Sequence, residues 1–216
     1  RSGDETITLF DSSDQTQACG QFEFLRQQID QRDGVQRSLA DFIAQGQAPC
    51  DYLGCFAVAV HGIDPLADHQ IAEGDDYEAI LIKAVGDRLA EALAEWLHQK
   101  VRRETWAYAP EESLSNAALI KEQYQGIRPA PGYPACPDHL DKKQIWTLLD
   151  AENTVEATLT ETLAMQPASA VSGYYFAHPE SRYLGGGLIA DDQIQSLARR
   201  RGIPLESMKR WLSANL

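Results

Sequence analysis

Twelve consecutive residues in the middle of the chain, 126–137, contain four prolines and two glycines: GIRPAPGYPACP. Proline lacks a backbone N–H and interrupts both helices and the interior of sheets. This segment, called the proline loop below, is therefore predicted to be an ordered loop. Because its prolines leave little entropy to lose, its backbone can be preorganised around a ligand.

The segments flanking the proline loop carry periodic patterns. Residues 75–103 predict a long helix with acids on one side and apolar residues three or four apart on the other. The acids are Asp87, Glu91 and Glu95. The apolar residues are Ile80, Ala84, Leu89, Leu93, Trp96 and Leu97. Other helices are predicted at 116–124, around 145–149, from Asp191 or Asp192 to Arg201, and after Pro204.

Alternating or apolar β-formers predict strands near both ends of the chain. The predicted strands are 5–10, 21–25, 52–60, 160–165, 170–177 and 182–189. The apolar 52–60 strand is expected to be central in its sheet, and Gly185–Gly187 suggest a bulge or a close backbone approach. We predict an α+β fold, in which a bent, mostly antiparallel sheet is flanked by helices. The 216 residues are expected to form one domain, 1–216.

Charge and hydropathy exclude two classes of partner. Nineteen basic and 32 acidic residues give a net charge of −13, which repels nucleic acid. The one basic cluster, 199–201 with Lys209 and Arg210, resembles part of a helix-turn-helix, but cations at helix C-termini commonly complement the helix dipole. The longest apolar run, 55–60, is too short to span a membrane. No nucleic-acid or membrane partner is predicted.

The cysteines favour a reducing compartment. Cys19, Cys50, Cys55 and Cys136 are too few and too irregular for a disulfide framework, so we expect a cytoplasmic protein. Cys136 and His139 could form a zinc site with Cys50 and Cys55, but that spacing is a poor match. Small buried cysteines are the preferred interpretation, and no metal site is predicted. The chain begins at Arg1 without an initiator methionine, and we expect it to be a piece of a longer protein.

No catalytic side chain is predicted either. The sequence has no Gly-x-Ser-x-Gly elbow, no reactive-cysteine signature and no phosphate-binding glycine loop. Any reactive group is therefore expected to come from a bound cofactor.

The proline loop carries the side chains best suited to a ligand. Arg128 is a planar cation that matches a carboxylate, and Tyr133 offers a ring face that attracts cations. A zwitterionic or cationic small molecule, such as an amino acid or a sulfonium, would suit both. The alternative is a rigid crossover loop in which Arg128 pairs with an internal carboxylate such as Glu122.

The residues 125–137, QGIRPAPGYPACP, closely resemble the signature of the reactivation domain of cobalamin-dependent methionine synthase. Further segments resemble that family in the same order along nearly the whole chain. They are 38–42, 51–54, 75–77, 90–95, 172–179 and the terminal helices.

This resemblance implies a C-shaped domain that binds S-adenosylmethionine. The domain would present the methyl group to a cobalamin carried by a neighbouring domain, after a flavodoxin-type donor supplies an electron. The implied enzyme is a methyltransferase of methionine biosynthesis, of which this module alone would not methylate homocysteine. The family's domain is longer at its start, so the resemblance implies that the chain lacks an N-terminal part, including a ligand-contacting aspartate.

The resemblance also assigns ligand-binding residues. Arg128 matches the clamp on the amino-acid part of the ligand, Ala130 supplies backbone contacts, and Tyr133 lies near the sulfonium. Tyr183 and Leu184 match a contacting pair, although Leu184 replaces a tyrosine often found there. Glu91 and Glu122 complete the set of ligand-binding residues, the first as a polar contact and the second at the border of the site. The alternative function is a non-catalytic docking module for the cobalamin domain or flavodoxin.

Overall fold

The computed structural model describes residues 2–11, 16–46, 50–185 and 187–215. Helices and strands are mixed along the chain, which confirms the predicted α+β class. The strands are β1 (Ser2–Gly3), β2 (Thr6–Phe10), β3 (Ala18–Glu23), β4 (Gly54–Ala59), β5 (Thr158–Leu159), β6 (Met165–Gln166) and β7 (Ala170–Tyr175). The α-helices are α1 (Ile63–Ala72), α2 (Asp76–Lys100), α3 (Asn116–Ile120), α4 (Asp141–Leu149), α5 (Ala151–Thr154), α6 (Asp191–Arg201) and α7 (Leu205–Trp211).

The chain divides into two compact units. The first unit contains Arg1–Gly54, Gln125–Gln144 and Tyr174–Leu216. The second unit contains Cys55–Tyr124 and Ile145–Gly173. The proline loop therefore belongs to the first unit and the long helix α2 to the second. The single domain expected from the sequence, 1–216, stays a prediction.

The core of the first unit combines an antiparallel sheet with an aromatic cluster. The strands β1, β2 and β3 lie in that order, with Ile7 opposite Phe22. Phe22 lies edge-on to Tyr174 with ring centroids 4.9 Å apart, and Phe24 packs against Tyr174 and Phe176 at 5.4 and 6.0 Å. All these aromatic side chains are buried. Because residues 174–176 are fixed in this core, the backbone that pairs with them is fixed as well.

The terminal helices of the first unit follow the sequence prediction. Gly202 ends α6 with a φ of 65°, and Pro204 precedes α7. Apolar side chains of the two helices form one buried cluster: Ile194, Leu197, Ala198, Met208 and Leu212. Arg200 pairs with the buried Glu23 and donates to the carbonyl of Phe24 at 2.8 Å. Arg200, one member of the basic cluster, is therefore engaged in contacts within the fold. This is the behaviour expected of a structural cluster rather than of a DNA-binding surface.

The second unit is built around the packing of α1 against α2. Helix α1 was not among the predicted elements. It contains Pro65, which is accommodated in the first helical turn, where a backbone N–H needs no partner. The strand predicted at 52–60 is observed as β4 and pairs with β7 in a sheet of two strands, so the expected central position is wrong for the described residues.

The predicted apolar face of α2 is also wrong. Ile80, Leu89 and Trp96 are 67%, 50% and 54% exposed, and Leu93 and Ala84 are exposed too. The side of α2 that is buried carries small residues and one histidine: Ala79, Gly86, Ala90, Ala94 and His98. A methyl group added at Gly86 would lie 2.5 Å from Ser169 Oγ and 2.8 Å from Ile63. Small residues therefore permit the close approach, and the large apolar side chains lie on the open side.

An ion pair follows the C-terminal end of α2. The chain continues as a π-helical turn, Val101–Thr105, in which Arg102 is fully buried. Its guanidinium donates to both carboxylate oxygens of Glu112 at 2.7 and 2.8 Å, and it lies 4.1 Å from the ring centroid of Tyr124.

Other predicted elements differ in detail. No strand is described over 182–189, of which Gly186 lies outside the described residues. Residues 160–165 mostly form the turn between β5 and β6, with Leu163 at a φ of 63°. The helix predicted at 116–124 is the shorter α3, which Ser115 caps. Within the described ranges, no helix is long and apolar enough to cross a membrane.

Candidate functional site

The first residues of the proline loop are paired with the aromatic core. Ile127 and Phe176 exchange two backbone hydrogen bonds, each 3.0 Å long. The N–H of Tyr174 donates to the carbonyl of Pro129 at 2.9 Å. The missing N–H of Pro129 costs no hydrogen bond here, because its carbonyl takes part in the pairing. Arg128 therefore lies on a short extended segment whose backbone is held on both sides.

The second half of the proline loop closes on itself. The N–H of Gly132 donates to Cys136 at 2.8 Å, and the N–H of Cys136 donates back to Tyr133 at 2.9 Å. Gly132 has a φ of 103°, a conformation that disfavours any side chain. A Cβ there would also lie 2.2 Å from the ring of His139. The glycine in this position is therefore required by both its backbone conformation and its neighbour.

The carbonyl of Ala130 is a hydrogen-bond acceptor within the loop. It accepts the N–H of Tyr133 at 3.2 Å and the thiol of Cys136 at 3.0 Å. A carbonyl oxygen has two lone pairs. Both are used inside the loop, so a backbone contact from Ala130 to a ligand would have to use its N–H.

Two predicted ligand-binding residues are joined directly. The backbone N–H of Arg128 donates to the hydroxyl oxygen of Tyr183 at 3.2 Å. Because this oxygen acts as an acceptor toward Arg128, its own proton is available for a second partner. Tyr183 is 39% exposed and Tyr133 is 57% exposed, whereas Leu184 is buried. Arg128 and the accessible phenol side chains of Tyr133 and Tyr183 therefore lie in the same unit.

A cluster of charged side chains, Asp138, Asp141 and Arg201, holds the C-terminal end of the proline loop in place. Arg201, on α6, contacts Asp138 at 2.6 Å and Asp141 at 2.5 Å. Asp138 also accepts the N–H of Leu140 at 2.9 Å, and Asp141 accepts the hydroxyl of the buried Tyr174 at 2.8 Å. The end of the loop and the start of α4 are therefore attached to α6 and to the aromatic core.

Burial shifts the titration of this group of side chains. Burial raises the pKa of Asp141 to about 6, although Arg201 opposes the change. Burial lowers the pKa of Arg201, but the two carboxylates raise it more, so the guanidinium stays charged. Burial, with Asp141 and Asp138 adding to it, raises the pKa of the Cys136 thiol well above its ordinary value. The thiol is therefore protonated at neutral pH.

An open groove borders the proline loop. Its walls come from the loop, from the segment after β3, from Leu184, Gly187 and Ile189, and from Asn215. Among the predicted site residues, Leu184 lines it and the others do not. Gln27 also lines the groove, and its side-chain N–H donates to the carbonyl of Gly185 at 3.1 Å, which ties down the residue next to Leu184.

The remaining predicted residues belong to the second unit. Glu91 is half-buried on α2. Glu122 is exposed just after α3, in a left-handed conformation with a φ of 54°. Arg128, Ala130, Tyr133, Tyr183 and Leu184 are therefore together in the first unit, whereas the two glutamates lie in the second. Their contribution to one site stays a prediction.

The cysteines differ from one another. All four are free. Cys136 is buried, as the preferred interpretation expected, whereas Cys55 is only half-buried and Cys50 is exposed, so the prediction is wrong for Cys50. The described residues include no group of three or more His, Cys, Asp or Glu side chains that could hold a metal ion.

Sequence reasoning missed the residues that support the loop. Asp141, Arg201 and Gln27 lie outside the proline-rich signature, and only their partners show what they do. Asp138 accepts the N–H of Leu140 two residues later, which is a local contact, but its pairing with Arg201 is not local. A local pattern contains no signal for partners that are 63 residues apart.

Comparison with known proteins gives two further findings. The family described as vitamin B12 dependent methionine synthase, activation domain, matches residues 1–202. A crystal structure of the MetH reactivation domain bound to AdoHcy is 46% identical and superposes with a TM-score of 0.92. That match covers 100% of the present chain and 67% of the other chain.

Proposed function

Since the chain belongs to the activation-domain family of vitamin B12-dependent methionine synthases, we propose that it binds S-adenosylmethionine beside the proline loop. The similar MetH domain is bound to AdoHcy, which is S-adenosylmethionine without its transferable methyl group. The observation that carries the proposal in this chain is the immobilised Arg128, whose backbone is held by the core on one side and by Tyr183 on the other.

Each residue of the first unit has a role that its surroundings support. The guanidinium of Arg128 pairs with the ligand's carboxylate in a charge-assisted hydrogen bond. The hydroxyl of Tyr183, which already accepts from Arg128, donates its proton to the same part of the ligand. Ala130 offers its N–H, and Leu184 is proposed to contact the ligand beside Tyr183, as the family resemblance implies.

The sulfonium is the reactive part of the ligand. The exposed ring of Tyr133 provides a π-face for its positive charge. Glu91 and Glu122 are proposed to add negative charge near this cation, as the family resemblance implies. A sulfonium is already activated for methyl transfer, so this chain needs to supply orientation and exclusion of water rather than a nucleophile.

The proposed reaction is reductive methylation of cobalamin. A cobalamin carried by a neighbouring domain, once reduced by one electron from a flavodoxin-type donor, would supply the electron pair that accepts the methyl group. The carbon–sulfur bond breaks and the ligand leaves as AdoHcy. Arg128 and Tyr183 hold the amino-acid end in place while the methyl group moves. In this proposal the module does not methylate homocysteine by itself. The proposed location is the cytoplasm, and the four free cysteines are consistent with its reducing environment.

Isothermal titration calorimetry with S-adenosylmethionine tests ligand binding. We expect measurable binding by the wild type and a loss of about 10- to 100-fold in affinity for Arg128→Ala, because a hydrogen bond between charged groups contributes roughly 1.5–3 kcal/mol. Arg103→Ala removes an exposed arginine of the second unit and is the matched control, for which no change is expected. If the wild type and Arg128→Ala give equal heats, the proposal is wrong and a docking module without ligand is favoured.

A further inference from the structure

We propose that Cys136 is a positioning residue for ligand binding, because its thiol donates a hydrogen bond to the carbonyl of Ala130 and so fixes the shape of the proline loop. This inference rests on the proposed function and deepens it. Cys136 touches no ligand in this account. It acts through Ala130 and Tyr133, which do.

The geometry of the loop supports a donor role for the thiol. Its sulfur lies 3.0 Å from the carbonyl oxygen of Ala130, six residues earlier in the chain. The backbone of Cys136 is fixed independently by hydrogen bonds with Gly132 and Tyr133 at 2.8 and 2.9 Å. With the backbone fixed, the thiol could leave the carbonyl only by rotation about the Cα–Cβ bond, and the burial of the side chain opposes that rotation. The contact therefore joins the beginning of the turn to its end.

The bond also determines which group Ala130 presents. With Cys136 and Tyr133 both donating to its carbonyl, the oxygen is directed into the loop. The peptide plane of residues 130 and 131 is then fixed, and Tyr133, which starts the return of the chain, is placed relative to Ala130. Without the thiol, the carbonyl would have one donor fewer and the plane could rotate.

The surroundings keep the thiol in the donor state. Cys136 is only 4% exposed, and the carboxylates of Asp138 and Asp141 are close enough to disfavour a thiolate. Both carboxylates are themselves held by Arg201. Besides pairing with Arg201, Asp138 and Asp141 thus raise the pKa of the Cys136 thiol and help to keep it protonated.

Three substitutions separate hydrogen bonding from space filling. Cys136→Ser keeps a donor, Cys136→Ala removes it, and Cys136→Val fills the volume without donating. By calorimetry with AdoHcy, at a temperature where all variants are folded, we expect the serine variant to bind within about threefold of wild type. The alanine and valine variants should bind about five- to tenfold more weakly, as expected for the loss of one buried hydrogen bond. Cys55→Ala, which removes a thiol from β4, should bind like the wild type.

Infrared spectroscopy tests directly whether the thiol of Cys136 donates a hydrogen bond. The difference spectrum between the wild type and Cys136→Ser isolates the S–H stretch of this one thiol. We expect it at a lower wavenumber than that of a free thiol, and we expect it to persist when AdoHcy binds. A band at the free-thiol position, or alanine and valine variants that bind as tightly as the wild type, would overturn the inference.

The two proposals fail in different ways. If the wild type does not bind AdoHcy or S-adenosylmethionine at all, the proposed function is wrong, whatever the S–H band shows. If the wild type binds but serine, alanine and valine at 136 are equivalent, the proposed function stands and the role of Cys136 is wrong.

Discussion

The proline loop and helix α2 are ordered by different means. The loop has no repeating hydrogen-bond pattern and depends on Phe176, Tyr174 and Arg201, which lie far from it in the sequence. Helix α2 is 25 residues long and is built from local backbone bonds, and it buries small residues while large apolar ones stay exposed. Local sequence thus decides whether a segment is helical. The shape of a loop and the buried side of a helix are decided by contacts with residues that are distant in the sequence.

The largest predicted effect concerns the buried ion pair that follows the C-terminal end of α2. Arg102→Leu leaves the carboxylate of Glu112 buried and unpaired, since that side chain is only 6% exposed. We expect a loss of about 3–5 kcal/mol in the free energy of unfolding, measured by urea denaturation. The double variant Arg102→Leu/Glu112→Leu should recover much of that loss. Equal losses in the single and double variants would contradict a role for the ion pair.

The next effect concerns the side chains below the loop. Because the pKa of Asp141 is about 6 in the folded protein and 3.8 in the reference state, the folded protein holds a proton that the unfolded chain releases. The stability contributed by this group is therefore present below pH 4 and is lost as the pH rises through 6. The difference amounts to about 3 kcal/mol.

Urea denaturation between pH 4 and 7 tests this effect. The free energy of unfolding of the wild type should fall with rising pH relative to Asp141→Asn. Asp33→Asn is the control, because the pKa of Asp33 is lowered to about 2 by Arg37 and changes stability only below pH 4. Parallel curves for the wild type and Asp141→Asn would show that the carboxyl of Asp141 titrates normally.

A smaller effect is expected on the buried side of α2. Gly86→Ala adds a methyl group that lies within 2.8 Å of Ile63 and 2.5 Å of Ser169 Oγ. Overpacking of this kind destabilises by roughly 1–3 kcal/mol, and the better helix propensity of alanine offsets about 1 kcal/mol. We expect a net loss of about 1 kcal/mol by urea denaturation. Gly185→Ala, where the added methyl group meets nothing within 4 Å, is the control, and a stabilised Gly86→Ala would contradict the close packing.

The smallest effect is expected on the exposed side of the same helix. Leu89 is 50% exposed, so Leu89→Gln should change the free energy of unfolding by less than about 0.5 kcal/mol. Ala90→Leu, at the neighbouring buried position, should destabilise by roughly 1–3 kcal/mol. If Leu89→Gln proves the more damaging of the two, the assignment of the buried face is wrong.

The same contrast explains how far the sequence could be interpreted. The spacing of residues 75–103 predicted α2 correctly, because helix formation is local. It predicted the wrong buried side, because Ala79, Ala90 and Ala94 fit either side and the pattern gives more weight to leucine and isoleucine. Gly86 was the one signal of close packing, and its meaning depends on Ile63 and Ser169, which the spacing does not reveal.

For the candidate site, composition located the proline loop but could not shape it. Four prolines excluded regular structure, and the family resemblance supplied Arg128, Ala130 and Tyr133. The bond between Cys136 and Ala130, and the support from Arg201, arise from the folded chain alone. The segment 182–189 shows the same limit, because its alternating pattern predicts a strand, whereas the carbonyl of Gly185 accepts a hydrogen bond from the side chain of Gln27.

A crystal structure of this chain with AdoHcy tests the central claim most directly. The account predicts a ligand beside the proline loop, with its carboxylate on the guanidinium of Arg128 and the hydroxyl of Tyr183, and with its sulfur next to the ring of Tyr133. A ligand bound away from Arg128, or a loop whose Arg128 and Tyr133 contact only other protein side chains in crystals grown with saturating AdoHcy, would contradict it.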